Sequence, residues 1–183
     1  MLKSHVPNHG FHIEGEQHYV ETYSGEQGWR IGMHPEGGCD GPIGVELGLT
    51  ATARALIAFE DALAAPDDDG SSEAQTDDMA ARVVIPLTVE VSAQPLVAAP
   101  DLLVLATEVA AESRPAVPMS PTLTSQLGPL DAGEEYCLLV RGELWVSLLD
   151  ICQMDDLDEV CEALASARAV CAHLADRVDR WMG

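Results

Sequence analysis

The sequence predicts an α+β fold: an antiparallel sheet built from two hairpin-plus-helix units and closed by a long C-terminal amphipathic helix. Three observations predict it. Leu157, Val160, Leu164, Ala167, Cys171, Leu174, Val178 and Trp181 recur at spacings of 3,4,3,4,3,4,3, the period of one helix face. Several short segments alternate apolar and polar side chains and are separated by turn-forming stretches. Arg82–Ser92 (RVVIPLTVEVS) is rich in β-branched residues, which favour strands.

Residues 1–16 combine His, Gly, Pro and Asn without periodicity and read as an extended arm. Gln17–Tyr23 and Trp29–His34 alternate around Ser24-Gly25-Glu26-Gln27-Gly28, the signal of a hairpin. The Gly-rich stretch 36–42 leads to a third strand over Ile43–Leu47. Thr50 is placed to N-cap a helix over Ala51–Ala65, with Ala53, Leu56, Phe59 and Leu63 as its apolar stripe. Pro66 ends that helix. The next twelve residues, 67–78, hold six acids and no base, so 66–80 reads as a flexible acidic linker.

The strand over Arg82–Ser92 contains Pro86, which suggests a sheet edge or a bulge. Asp101–Glu112 is compatible with helix or strand, and its good helix formers favour helix. Ser113–Pro129 carries four prolines and reads as a loop. Glu135–Val140 and Glu143–Leu149 flank Arg141-Gly142 as a tight hairpin. Asp155 or Asp156 starts the final helix, which runs to Trp181.

At 183 residues the chain makes one ordinary domain. It divides into an N-terminal unit (1–65), the linker (66–80) and a C-terminal unit (81–183) on a shared core. Trp29–Leu47 followed by the Ala53–Leu56 helix, and Tyr136–Leu149 followed by the Val160–Arg168 helix, repeat the order hairpin then helix. An internal duplication is one explanation, and chance recurrence of a common motif is the other. The segment Val45-Glu46-Leu47-Gly48-Leu49-Thr50, followed by Ala53-Arg54-Ala55-Leu56-Ile57, resembles small uncharacterised strand-strand-helix domains of actinobacteria and their phages. That resemblance covers residues 29–65 and implies a phage- or mobile-element-encoded origin, with no known activity. The Arg-over-Lys bias agrees with a high-GC genome.

The chain carries 31 Asp+Glu against 9 Lys+Arg, a formal charge of −22. Direct nucleic-acid binding and anionic membranes are excluded on that ground, since both need clustered cations. No spanning apolar run and no signal-peptide core occur, so the expected location is cytoplasmic. Five cysteines without a C-x-x-C pair read as reduced, packed thiols. Phosphate-binding loops, dinucleotide fingerprints, H-E-x-x-H and G-x-S-x-G are all missing from the sequence. The Gly-rich stretch around Cys39 fails the cysteine-phosphatase pattern, because Val45 stands where the arginine belongs.

Two sets of residues remain as candidate sites. His5, His9, His12, His34 and Cys39 are ligand types that Zn²⁺ selects, and would form a site if the arm folds over the hairpin. Leu157, Val160, Leu164, Cys171, Leu174, Val178 and Trp181 either cover the chain's own sheet or pair with a second copy in a homodimer. The expected function is non-enzymatic: an acidic regulatory or adaptor protein that binds a partner with a basic surface and carries no cofactor. Two alternatives stand beside it, a zinc-binding protein and a nucleic-acid mimic that occupies the basic groove of a DNA- or RNA-handling protein.

Overall fold

In the computed structural model, which describes residues 6–38, 41–64, 83–127, 134–153 and 157–182, the alternating segments become six strands. These are β1 (Phe11–Val20), β2 (Gln27–Pro35), β3 (Ile43–Ala51), β4 (Val84–Leu96), β5 (Met119–Leu127) and β6 (Glu134–Ser147). They form one sheet in the order β1-β2-β3-β4-β6-β5, antiparallel throughout. Four helices accompany it: α1 (Ala53–Ala64), α2 (Leu102–Glu112), α3 (Leu148–Gln153) and α4 (Asp158–Met182). The architecture is α+β, with the long C-terminal helix the sequence predicts. Among the described residues no helix is long and apolar enough to cross a membrane. The linker expected over 66–80 lies outside the described residues.

The core lies between α4 and one face of the sheet. In β4, Ile85, Leu87, Val89, Val91 and Ala93 point to that face and are fully buried. The residues between them, such as Thr88, Glu90 and Ser92, point the other way, as the two-residue period of a strand requires. Against this floor α4 lays Val160, Leu164, Ala167, Cys171, Leu174 and Val178, all buried, and so its stripe is core. Ser166, fully buried on α4, donates to Val117 O at 3.0 Å and accepts from Arg114 N at 3.0 Å. One hydroxyl thereby ties the segment between α2 and β5 to the helix. Asp101 caps α2 by accepting from Leu103 N and Val104 N, which settles the helix-or-strand question at 101–112.

Six expectations need correction. The arm ends early, because Val6 and Phe11 are buried and β1 already starts at Phe11. A 3-10 turn at Pro7–His9 ends on Gly10 with φ +76, and the Arg168 guanidinium donates to Gly10 O. Thr50 is a β3 residue opposite Gly28, and the hydroxyl that accepts from Ala55 N, at 3.2 Å, belongs to Thr52. Leu63 is exposed, so of the predicted stripe of α1 only Leu56 and Phe59 pack against the core, both partly buried. Pro86 sits in the central strand β4, where the β3 ladder has already stopped at Leu49↔Leu87. The chain there is paired on one side only, which tolerates a residue without N–H. The register shift in β4 falls after Ala93.

The other two corrections concern the C-terminal unit. Part of Ser113–Pro129 is the strand β5, whose Pro121 is tolerated because β5 pairs with β6 alone at the sheet edge. Arg141-Gly142 is no turn: β6 runs straight through it, with Arg141 opposite Glu90 and Ser120, and Gly142 opposite Val89 and Met119. The glycine is needed for packing. A Cβ there would stand 3.0 Å from both Met119 Cγ and Val117 Cγ1. The second hairpin-plus-helix unit is therefore β5–β6 followed by α3 and α4.

Candidate functional site: an acidic groove on the open face of the sheet

The face of the sheet turned away from α4 is open, and its rows can be read from the strand register. One row runs Gly15, Gly32, Glu46, Glu90, Arg141 and Ser120 across all six strands. A neighbouring row brings Gly44 opposite Ser92. Glycine clears the ground: Cβ atoms added at Gly15 and Gly32 would meet nothing closer than 4.0 Å. At Gly44 and Gly48 the missing Cβ admits hydroxyls from β4. Ser92 donates to Gly44 O and Thr88 to Gly48 O, each at 3.3 Å.

The result is a groove of about 280 Å³ lined by Glu14, Gly32, Gly44, Glu46, Glu90 and Ser92 among others. Glu14 reaches it because the β1 ladder shifts register between Ile13 and Gly15. Glu46 and Glu90 are directly opposite each other on adjacent strands, an arrangement that is destabilising for like charges. Each carboxylate is held from outside by one guanidinium: Arg30 Nε lies 3.5 Å from Glu46 and Arg141 Nη1 lies 3.5 Å from Glu90. Arg141 also meets Glu143 at 3.4 Å. Arg30 stands 5.2 Å over the Tyr19 ring, and a hydrogen bond with Tyr19, then the charge of Glu46, raises its pKa. The residues lining the groove thus include three carboxylates and no base. Such a groove can accept a cationic group through charge-assisted hydrogen bonds.

The histidines expected to hold zinc are placed as follows. His12 and His34 face each other across β1 and β2 and stack at 5.5 Å between centroids, 25° from parallel. His34 Nε2 is 3.9 Å from Glu14, and His34 Nδ1 is buried without a hydrogen-bond partner. An imidazole binds a metal in its own ring plane, and two stacked planes do not meet at bonding distance. His9 lies in the 3-10 turn. His5 and Cys39 lie outside the described residues. Among the described residues no group of three or more His, Cys, Asp or Glu is placed to hold a metal ion.

The interaction stripe is placed in the core: Leu157, Val160, Leu164, Cys171, Leu174 and Val178 are buried against the chain's own sheet, and Trp181 packs partly buried beside them. Burial pushes the Cys171 thiol up to about 12, so it behaves as a small apolar side chain. A larger cleft, about 360 Å³, lies between the β2–β3 connection and α4, with Ile43, Ala172, Ala175 and Val178 on its walls. Its walls are mainly apolar and its charged residues, Glu36, Arg168 and Asp179, are of mixed sign, so the smaller, uniformly acidic groove is the better candidate for a cationic group.

Sequence reasoning passed over Glu14, Glu46 and Glu90. A signal for two of them existed. Gly44-Val45-Glu46-Leu47-Gly48 and Thr88-Val89-Glu90-Val91-Ser92 both place an acid at the centre of a small-residue alternation. The register that sets the two acids face to face needs the structure. No protein-family model, no curated protein and no solved structure matches the chain.

Proposed function

We propose that the protein is a non-enzymatic acidic binding module that recruits a partner with a basic surface through the open face of its sheet. The observation that carries this reading is the opposition of Glu46 and Glu90 over a glycine-cleared floor, with Glu14 at its side. Two like charges held face to face are relieved when a cation enters between them. The chain's net charge of −22 adds long-range attraction for a basic partner, an attraction that salt weakens. Arg30 and Arg141 pair with the two carboxylates from the edge of the groove, 3.5 Å away in each case.

The test is a calorimetric titration with a lysine-rich peptide, comparing the native chain with an E46Q/E90Q double variant. A second variant, E60Q/D61N on the exposed side of α1, removes the same formal charge away from the groove. The native chain and the α1 variant should bind alike at low salt, and the groove variant about tenfold more weakly. Equal binding by all three would reduce the effect to net charge and overturn the assignment of the groove.

A further inference from the structure

Among the described residues His34 Nδ1 is the one buried side-chain nitrogen or oxygen without a hydrogen-bond partner. A buried polar atom left alone costs free energy, so its presence asks for an explanation. Met33 is buried toward the core, and the next residue along β2 therefore turns its ring to the open face, beside the acidic groove. There the side chain of His34 is 12% exposed, with Nε2 3.9 Å from the Glu14 carboxylate. His12 on β1 stacks against it, 5.5 Å between centroids. On β3 the ladder ends at Met33↔Val45, next to Gly44, which has no side chain, and the nearest acid of that strand is Glu46. Glu36, past the end of β2, is exposed and bonds through its N–H to Gly10 O.

A proton changes what this ring needs from its surroundings. The neutral ring with its hydrogen on Nε2 faces Glu14 and leaves Nδ1 as a bare lone pair. The second proton must sit on Nδ1, where nothing accepts it, so the charged ring depends on Glu14 for its stabilisation. His12 deepens that dependence, since two charged rings at stacking distance repel. Glu14 is also one of the three carboxylates of the groove. A proton on His34 and a cation in the groove therefore compete for one carboxylate. We propose that His34 is a proton-operated gate on the groove: charged, it holds Glu14 as an ion pair, and neutral, it leaves Glu14 to a cationic ligand. The gate rests on the reading of the groove as a site for basic groups. Coupling of this kind is reciprocal, so a bound cation in turn drives the proton off His34. Histidine is the side chain that changes charge between about pH 5 and about pH 8, and the gate holds its ligand at the upper end of that range and releases it at the lower.

Calorimetric titration of the full chain with the lysine-rich peptide, at low salt and at about pH 7.5 and about pH 5.5, tests the gate. The native chain should bind about fivefold or more weakly at the acid pH. H34Q should lose most of that pH dependence, and H12Q, which leaves the ring and its carboxylate in place, should keep it. E14Q removes the carboxylate for which proton and ligand compete. Its side chain is 59% exposed, so this variant should fold even where a change at His34 does not, as circular dichroism will show. E14Q should bind more weakly at the higher pH and lose most of the dependence too. Native pH dependence in H34Q or E14Q, or its loss in H12Q, would overturn the gate while binding at the higher pH keeps the groove. A native chain that fails to bind the peptide at the higher pH overturns both.

Discussion

The two faces of the sheet are made by the same strands in different chemistry. Toward α4, β4 presents Ile85, Leu87, Val89, Val91 and Ala93, each 0–1% exposed. Toward the open side the same strand presents Thr88, Glu90 and Ser92, half-buried, with hydroxyls bonded across to β3 and a carboxylate held by Arg141. Apolar packing is concentrated on one face and polar and charged groups on the other. A strand's two-residue period keeps the two jobs on alternate residues, so each can be changed with little effect on the other.

The sharpest way to break that separation is to damage the covered face. Leu164→Ala removes a fully buried side chain from the centre of α4 and should cost about 2–5 kcal/mol of unfolding free energy, measured by urea denaturation. Peptide binding by the fraction that remains folded should be unchanged. Loss of affinity in step with stability would show that the faces are coupled.

The next comparison puts one substitution on both faces. Gly142→Ala forces a Cβ to 3.0 Å from Met119 and Val117 and 3.4 Å from Val89 on the covered side, an overpacking worth about 1–3 kcal/mol. Gly32→Ala meets only Gly15 O, at 4.0 Å, and should hold or raise stability by up to about 1 kcal/mol through the unfolded chain. The same methyl fills the floor of the acidic groove and should weaken peptide binding. Thermal melts and titrations of the pair separate the two faces directly, and equal melts would mean that the core yields at Gly142.

This division also explains what was legible in the sequence. The covered face announces itself: the α4 stripe and the β-branched run of β4 are hydrophobic patterns at fixed periods, and burial is what such patterns report. Turn signals were weaker guides. Arg141-Gly142 looks like a hairpin because glycine favours turns, yet here glycine answers crowding by Met119 and Val89 on the two adjacent strands and by Val117. Pro121 looks like a loop because proline cannot donate, yet an edge strand does not ask it to. Both depend on which strands are neighbours, and composition does not encode adjacency. The groove is hidden for the same reason. Glu46 and Glu90 are 44 residues apart in the chain and become a pair only through the β3–β4 register.

A smaller effect on stability tests whether the open-face charges serve the fold at all. The double variant E46Q/E90Q relieves an opposed like-charge pair and gives up two exposed ion pairs. Each change is worth less than about 1 kcal/mol and they act in opposite directions. Its melting midpoint should lie close to that of the native chain. A clear loss would assign the four charges to stability and leave the groove without a separate role.

The smallest effect is expected from an ion pair in the helix layer, and it gives that open-face result a counterpart. Glu108 on α2 accepts from Arg177 Nη2 at 2.9 Å and lies 3.2 Å from His173 Nε2, clamping α2 to α4. The hydrogen bond from Arg177 lowers its pKa, burial opposes the shift, and His173 adds to the lowering. A carboxylate with a depressed folded pKa contributes stability that is present above its unfolded value and is lost as pH falls through the folded one. Below the usual carboxylate range the native chain should therefore lose this contribution, and E108Q, which has no proton to take up there, should not. Melting midpoints followed from about pH 7 to about pH 3 should converge toward the acid end. The group is partly exposed, so the convergence is small. Parallel curves would mean that Leu105 and Val109, buried on the same helix, hold α2 without help from charge, and that both layers of the molecule owe their stability to apolar contact alone.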